Sequence, residues 1–312
     1  MKRRLVMSPN ARKWMAIGMF LGGLIGRPAV PLSAQNADPP QPGIFMMDND
    51  GAHLRLIVKL KGKWNGSPSL SPDGKLLLFD ASPIGNHWNQ SHLYLMAVDA
   101  TGEAPTDLGF GNTPAWSPDG KLIAFSVHEG NPDQAEAGVW LLDPDKAERR
   151  WLCHGDAPRW HPDGKRLVLV GHPEDNRGDG VYLYDLEKDQ SASMFGFHER
   201  INGAACSPDG KRVAYIASDG PDSELVIASL EGRDRNAQVR LKGRIGWRPS
   251  WSPDGKYVAC WILGPMGQER LHRVEVDTKR DPELLAHQVE GHTNSDPSWS
   301  PDGKRILFIS DQ

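Results

Sequence analysis

Cysteine is scarce in this chain of 312 residues, and long hydrophobic runs are missing. Cys153, Cys206 and Cys260 are too few for the disulfide framework that holds small secreted domains together. Cys206 and Cys260 occupy positions expected inside neighbouring repeats, so a bridge between them stays open beside a simpler interpretation as small buried side chains. The apolar stretch at residues 14–25 has twelve residues, too few to cross a bilayer as a helix.

The motifs of several enzyme classes are also absent. The chain has no G-x-S-x-G sequence, which excludes the nucleophile elbow of a fused α/β-hydrolase. It has no H-E-x-x-H sequence and no phosphate-binding glycine loop. The eleven histidines lack the close spacing of a local metal site, although His128, His172 and His292 could converge in the fold. We therefore expect no catalytic residues, assign no cofactor, and leave a metal in the structure open.

The first 34 residues have the pattern of an export signal. A basic region without acidic residues precedes the apolar stretch, and Leu32-Ser33-Ala34 offers small residues for cleavage before Gln35. We expect a cleaved signal peptide at residues 1–34 and a periplasmic or secreted protein. An uncleaved anchor and twin-arginine export are weaker alternatives, and the export route stays open. Residues 35–42 are polar and rich in proline, which predicts a mobile lead-in.

The charge balance points away from nucleic acid. The chain carries 36 Lys and Arg residues against 40 Asp and Glu residues, a formal charge of −4. Six of the basic residues and none of the acidic ones lie in the signal, so the mature chain would carry −10. An acidic chain is a poor match for nucleic acid or an anionic membrane surface. We expect a protein or peptide partner and no membrane insertion after signal cleavage; the oligomeric state stays open.

The rest of the chain is built on one phrase, Ser-Pro-Asp-Gly-Lys, which occurs six times with His161 replacing serine once. Successive aspartates of the phrase lie 46, 44, 46, 45 and 48 residues apart. A fixed period of this size predicts an array of one supersecondary unit. The copies occupy residues 71–75, 117–121, 161–165, 207–211, 252–256 and 300–304.

The flanks of the phrase identify the unit. Short aromatic and β-branched runs lie on both sides, such as Pro114-Ala115-Trp116 before the second copy and residues 122–125 after it. They predict two strands, A and B, around a turn in which Pro fixes φ and Gly accepts a positive φ. A proline three residues before the turn recurs in five repeats, which indicates that strand A is an edge strand.

Two further strands, C and D, fit between successive phrases, and four strands in about 45 residues make a β-propeller blade. Residues 44–47 and 54–57 have the pattern of a C–D pair displaced to the beginning of the chain. They would complete the sixth blade. The sequence therefore predicts an all-β fold over residues 43–312. It would be a six-bladed β-propeller of four-stranded antiparallel blades, closed by N-terminal strands.

The phrase P-x-W-S-P-D-G-K with a following aromatic strand resembles the WD40-like (PD40) repeat of the TolB-type propeller family. The resemblance covers residues 43–312 and implies the same propeller. TolB also carries an N-terminal α/β domain, for which this chain has no room, so we expect the propeller alone. The envelope role of TolB and its lipoprotein partner therefore do not carry over.

The residues just before each strand-A proline would form a ring at one mouth of the central channel. Trp247, Arg248 and Asp296 differ there from the small neutral residues of other repeats. A purely structural repeat has no need to vary at one radius, so we predict a ligand- or partner-binding site at this mouth. Its candidate residues are Asn112, Asp156, Asn202, Trp247, Arg248 and Asp296.

Tryptophan and arginine are the residue types that anchor protein interfaces. The sequence therefore favours an exported, non-catalytic module that binds a protein or peptide at the channel mouth. The alternative is a carbohydrate or small-molecule binding protein, or an enzyme, with a metal or ligand in the channel. Convergence of His128, His172 and His292, or of Asp156 with Asp296, would favour the alternative; an exposed Trp247 would favour the interaction module.

Overall fold

The computed structural model describes residues 41–85, 88–100, 102–171, 180–194, 200–218, 222–230 and 237–312. Within these ranges the chain forms 24 β-strands and one short 3-10 helix, Trp88–Gln90. No helix in these ranges is both long and apolar enough to cross a membrane. The predicted signal at residues 1–34 lies outside the described residues, as does the predicted lead-in up to residue 40.

The strands form six four-stranded antiparallel sheets, each with strand A at one edge and the order A-B-C-D. Blade 1 contains β3 Lys63–Leu70, β4 Leu76–Pro83, β5 His92–Ala97 and β6 Thr106–Phe110. Blade 2 contains β7 Asn112–Trp116, β8 Ile123–Val127, β9 Gly138–Asp143 and β10 Glu148–Cys153. Blade 3 contains β11 Asp156–Trp160, β12 Arg166–Gly171, β13 Gly180–Asp185 and β14 Gln190–Ser193.

Blade 4 contains β15 Arg200–Cys206, β16 Arg212–Ser218, β17 Ser223–Ser229 and β18 Gln238–Gly243. Blade 5 contains β19 Ser250–Trp251, β20 Tyr257–Leu263, β21 Glu269–Glu275 and β22 Glu283–Leu284. Blade 6 contains β23 Asn294–Trp299, β24 Arg305–Ser310, β1 Gly43–Asp48 and β2 Arg55–Val58. Each A strand contacts the A strands of both neighbouring blades, so the six blades close a ring around a central channel.

Blade 6 confirms the predicted closure. Its C strand, β1, pairs antiparallel with β24, from Gly43 opposite Ser310 to Asp48 opposite Arg305. The Asn49 side-chain amide also donates to the carbonyl of Gly303 at 2.8 Å, a contact between residues 254 positions apart. The ring is therefore joined by strands from opposite ends of the described chain.

The repeated turn is held by its own side chains. In blade 1, Ser71 Oγ donates to Asp73 Oδ1 at 2.6 Å and accepts from the Leu76 amide at 2.9 Å. The same carboxylate oxygen accepts from the Lys75 amide at 3.1 Å. These bonds, first that from Ser71, hold the pKa of Asp73 below its ordinary value. The turn glycines have φ between 69° and 73° in all six copies, as predicted. The repeated aspartate is thus explained by turn geometry.

The hydrophobic core lies between neighbouring blades. Ile44 and Leu307 of blade 6 pack in one cluster with Leu77 and Phe79 of blade 1, and all four are fully buried. The repeated tryptophan adds polar contacts at these interfaces: Trp251 Nε1 donates to the carbonyl of Ala205 in the preceding blade at 2.9 Å. Strands B and C are covered on both faces, which explains their nearly continuous apolar sequences.

All three cysteines are free, and Cys260 is fully buried while Cys153 and Cys206 are partly buried. Burial raises the pKa of each thiol to about 12. They are therefore unreactive small side chains at neutral pH. The structure favours that interpretation over a Cys206–Cys260 bridge.

Candidate functional site

The six residues that precede strand-A prolines, or the equivalent Ala204, share an unusual backbone conformation. All of them have positive φ, although five are not glycine. The left-handed conformation costs a non-glycine residue roughly 1–2 kcal/mol, so its recurrence marks a built feature. The residues and angles are Ser67 (51°), Thr113 (53°), Ala157 (48°), Gly203 (151°), Arg248 (64°) and Asp296 (48°).

A β-bulge produces this conformation. In five blades the register between strands A and B shifts beside the ring, as between Asn112 and Ala115 in blade 2. A bulge releases a backbone N–H from the ladder and turns it aside. The released N–H groups bond to the preceding blade: Thr113 donates to Asp80 Oδ1 at 3.4 Å, and Ala157 donates to Ser126 Oγ at 3.0 Å. The ring thus connects the blades around the channel.

Four charged side chains from four blades influence one another at this level. Arg248 Nη1 of blade 5 lies 3.8 Å from Asp296 Oδ2 of blade 6, and Arg248 is buried. Burial, and then the nearby charge of Arg248, lower the pKa of Arg159 in blade 3 to about 9, while Asp296 and Asp80 oppose this shift. Arg159 remains charged at pH 7. Groups from blades 1, 3, 5 and 6 can influence one another only near the channel axis.

The carboxylates of the cluster have different surroundings. Burial raises the pKa of Asp296, and the charge of Arg248 together with a hydrogen bond from the Ser67 amide offsets part of this rise. Asp80 is buried and accepts from Ser91 Oγ at 3.1 Å as well as from the Thr113 amide. Asp80 is therefore held by a hydroxyl donor of its own blade and a backbone donor of the ring.

Several polar atoms of the same region have no hydrogen-bond partner. Four of the ten buried side-chain atoms of this kind in the described residues lie at strand-A starts. Buried polar atoms are nearly always bonded in proteins, so such a concentration indicates a place for water or a ligand. The four atoms are Ser67 Oγ, Asn112 Oδ1, Arg248 Nη1 and Asn294 Nδ2.

Two tryptophans stack beside the ring. Trp88, which follows strand B of blade 1, and Trp247, which precedes strand A of blade 5, have ring centroids 5.9 Å apart and planes inclined by 22°. Their exposed fractions are 50% and 43%. The pair bridges the two blades that flank blade 6. Asn112 Nδ2 donates to the Trp88 carbonyl at 3.4 Å, which ties the pair to the ring.

Gly246 allows the chain to reach this position. A Cβ atom there would lie 1.5 Å from Cζ2 of Trp261, which means that the Trp261 indole packs directly against the glycine backbone. The Gly246 amide also donates to the Trp261 carbonyl at 3.1 Å. The direction in which Trp247 leaves blade 5 is therefore fixed by its glycine neighbour.

The structure brings only some of the predicted site residues together. Arg248 and Asp296 form an ion pair, and Trp247 and Asn112 both contact Trp88. Asp156 Oδ1 instead accepts from the neighbouring Ala157 amide at 2.6 Å. Asn202 Nδ2 donates to Ser218 Oγ at 3.2 Å within blade 4. Asn112 and Arg248 are both buried.

Sequence reasoning missed Asp80 and Arg159. Both carried a signal: Asp80 is an acidic residue in a strand B that is otherwise apolar, and Arg159 occupies the middle of the Pro-x-Trp sequence, where the other repeats have Ser or Ala. An arginine at one of six equivalent positions, where the others are small, could have indicated a charged site in the channel.

The convergence of His128, His172 and His292 that would favour a metal site falls partly outside the described residues. No group of three His, Cys, Asp or Glu residues that could hold a metal occurs within the described part of the chain. His172 lies outside the described residues. His292 Nδ1 lies 3.1 Å from Asp311 Oδ1, at the end of blade 6.

The chain is similar to known propeller proteins. Residues 197–312 match the family model of the TolB beta propeller domain, PD40. A curated relative, the uncharacterized peptidase YuxL of Bacillus subtilis (strain 168), is 26% identical over 94 residues, which are 30% of this chain and 14% of the relative. The alignment thus covers a small part of that protein.

Solved structures match over most of the chain. A TolB-type protein from Agrobacterium tumefaciens has a TM-score of 0.69 and 21% identity, covering 86% of this chain and 97% of that chain. TolB from Acinetobacter baumannii has a TM-score of 0.61 and 16% identity, covering 87% and 64%. An oligogalacturonate lyase in complex with manganese has a TM-score of 0.54 and 17% identity, covering 75% and 71%. At these identities the structural matches report the fold. Together with the family-model match over residues 197–312, they show that the chain is similar to TolB-type β-propellers.

Proposed function

We propose that the chain is an exported, non-catalytic propeller that binds a protein or peptide partner at the channel mouth. The stacked Trp88–Trp247 pair carries this proposal. Two half-exposed indoles from separate blades are held side by side, next to the buried Arg248. Aromatic side chains beside an arginine are typical of the residues that dominate binding energy in protein interfaces.

The architecture supports such a role. The ring presents the mouth on a rigid frame of bulged A strands, and binding to a rigid surface loses little conformational entropy. The similarity to TolB structures supports the propeller fold, and the signal pattern at residues 1–34 supports export to the periplasm or medium. These observations apply to the whole domain, whereas the tryptophan pair indicates where on the domain the partner would bind.

Site-specific photo-cross-linking tests the proposal. A photoreactive phenylalanine analogue replaces Trp247 in the full chain, which is then irradiated in cells of its native host. A matched chain carries the analogue at Val239, which is 44% exposed on the outer strand of blade 4. We expect a discrete cross-linked protein from position 247 and none from position 239.

The cross-linked protein is then purified and its affinity measured with two double variants. Trp88→Ala/Trp247→Ala should weaken binding about tenfold or more, since hot-spot side chains contribute 2 kcal/mol or more. Val239→Ala/Leu284→Ala removes exposed apolar side chains from outer strands and should leave the affinity unchanged. Equal cross-linking from both positions, or a metal that co-purifies with the chain in place of a protein, would contradict the proposal.

A further inference from the structure

The buried cluster below the tryptophan pair has unused hydrogen-bond donors. Arg248 Nη1 is buried without a hydrogen-bond partner, since its 3.8 Å separation from Asp296 Oδ2 exceeds a hydrogen bond. Arg159 Nη1 donates at 3.1 Å to the carbonyl of Pro158, its own neighbour in sequence. Each guanidinium carries five N–H donors. Arg248 can therefore bind a further anionic group, and Arg159, whose pKa responds to the charge of Arg248, supplies a second guanidinium in the same cluster.

The carboxylates of the cluster are better satisfied than the arginines. Asp80 accepts from the Ser91 hydroxyl and the Thr113 amide, and the Ser67 amide favours the charged form of Asp296. These bonds come from groups that the fold itself holds in place. The unused hydrogen-bonding groups of the cluster are therefore donors. They belong to Arg159 and Arg248, with Asn294 Nδ2 as a further free donor.

The charge balance selects the class of anion. Two arginines face two aspartates, and Asp296 also influences Glu269 at the edge of the cluster. A doubly charged phosphate would meet these carboxylates in a chain that is already acidic overall. A carboxylate carries one charge and fits the planar fork of a guanidinium with two parallel bonds. The local balance thus favours a single carboxylate.

The remaining unpaired atoms indicate which groups the ligand should carry beside its carboxylate. Ser67 Oγ and Asn112 Oδ1 are buried acceptors without partners, so the ligand should also present N–H or O–H donors. A peptide supplies both from adjacent atoms, through an acidic side chain or terminal carboxylate and the backbone amides beside it. The Trp88–Trp247 pair would contact the flanking residues of such a peptide.

We propose that the partner inserts a peptide carboxylate into the channel mouth, where Arg159 and Arg248 bind it below Trp88 and Trp247. The inference rests on the proposed function and names the chemistry of the inserted group. Removing one charge-assisted bond costs roughly 1.5–3 kcal/mol, which corresponds to about a tenfold to hundredfold loss of affinity.

The test selects peptides on the full chain, from a random phage library and from a synthetic library with free C-termini. We expect ligands with an acidic residue at one fixed position, or with an obligatory free C-terminus. Replacing that Asp by Asn, or amidating that terminus, should weaken binding about tenfold or more. Arg248→Gln and Arg159→Gln should each bind both forms of the peptide alike. The second variant serves if the first fails to fold.

Lys242→Gln is the matched control, because Lys242 is an exposed cation on the outer strand of blade 4. It should retain full discrimination between the acidic and neutral peptides. Peptides that bind at the tryptophan pair without such discrimination would overturn the carboxylate inference and leave the proposed function standing. If no peptide binds, the proposed function fails as well. Trigalacturonate bound by the wild type and lost in Arg248→Gln would then assign the carboxylate to a sugar acid and overturn the peptide.

Discussion

Glu269 makes the stability of blades 5 and 6 depend on pH. This residue begins β21, and burial raises the pKa of its carboxyl from 4.5 to about 7, with the charges of Asp296 and Asp311 adding to the rise and a hydrogen bond from Ser295 opposing it. The folded chain therefore binds the Glu269 proton more tightly than the unfolded chain does. Between these two pKa values the folded state holds more protons, so its stability falls as the pH rises.

The size of the effect follows from the shift. One pKa unit corresponds to 1.36 kcal/mol, so a rise from 4.5 to about 7 destabilises the folded chain by at most about 3 kcal/mol at pH 8. At pH 5, near the unfolded pKa, the penalty is about 1 kcal/mol or less. Glu269→Gln removes the ionisable group and keeps its shape. We expect the variant to be more stable than the wild type at pH 8, by up to this amount, and to differ much less at pH 5.

Urea unfolding of both proteins at pH 5, 6.5 and 8 measures the difference directly. Glu103→Gln is the control, since Glu103 is an exposed residue between strands C and D of blade 1. Its difference from the wild type should not change with pH. A Glu269→Gln difference that is the same at all three pH values would refute the reasoning, because it would mean that the buried carboxyl titrates alike in both states.

Three further predictions concern the frame of the ring. Gly246→Ala should destabilise the fold by about 1–3 kcal/mol, because the new methyl group would overlap the Trp261 ring; Gly264→Ala, which has room, is the control in thermal melts. Gly120→Val should cost about 1–2 kcal/mol in urea unfolding, since a β-branched residue is strained at φ of 73°, and an unchanged midpoint would contradict the turn assignment. Deleting residues 41–58 removes β1 and β2 from blade 6 and should abolish a single cooperative calorimetric transition; a sharp transition in the shortened chain would contradict closure by these strands.

The repeat chemistry could be predicted because it is local. Ser71, Asp73 and their equivalents satisfy one another within five residues, so the pattern of Pro, Asp and Gly was enough to identify each turn and the strands beside it. The closure was predictable for a similar reason, since residues 44–47 have the continuous apolar sequence of a strand C and needed a strand B as partner.

The candidate site depends on relations that a sequence does not contain. Ser67, Thr113 and Ala157 have no intrinsic preference for positive φ, and only the bulge imposed by the ring places them there. Trp88 and Trp247 lie 159 positions apart in the chain, and their stacking depends on the angle between blades 1 and 5. The charges that act on Arg159 come from three other blades, and the sequence does not show that these blades bring them close to it.

The pairing of β1 with β24 also sets the order of events during biogenesis. β1 pairs with β2 along one edge, and its other edge has no partner until Arg305–Ser310 of β24 is available. Until then the exposed edges of β1 and of the last hairpin are open to other chains. The joining of these two edges therefore follows the formation of the last hairpin, and the chain is open to pairing with foreign strands until that step.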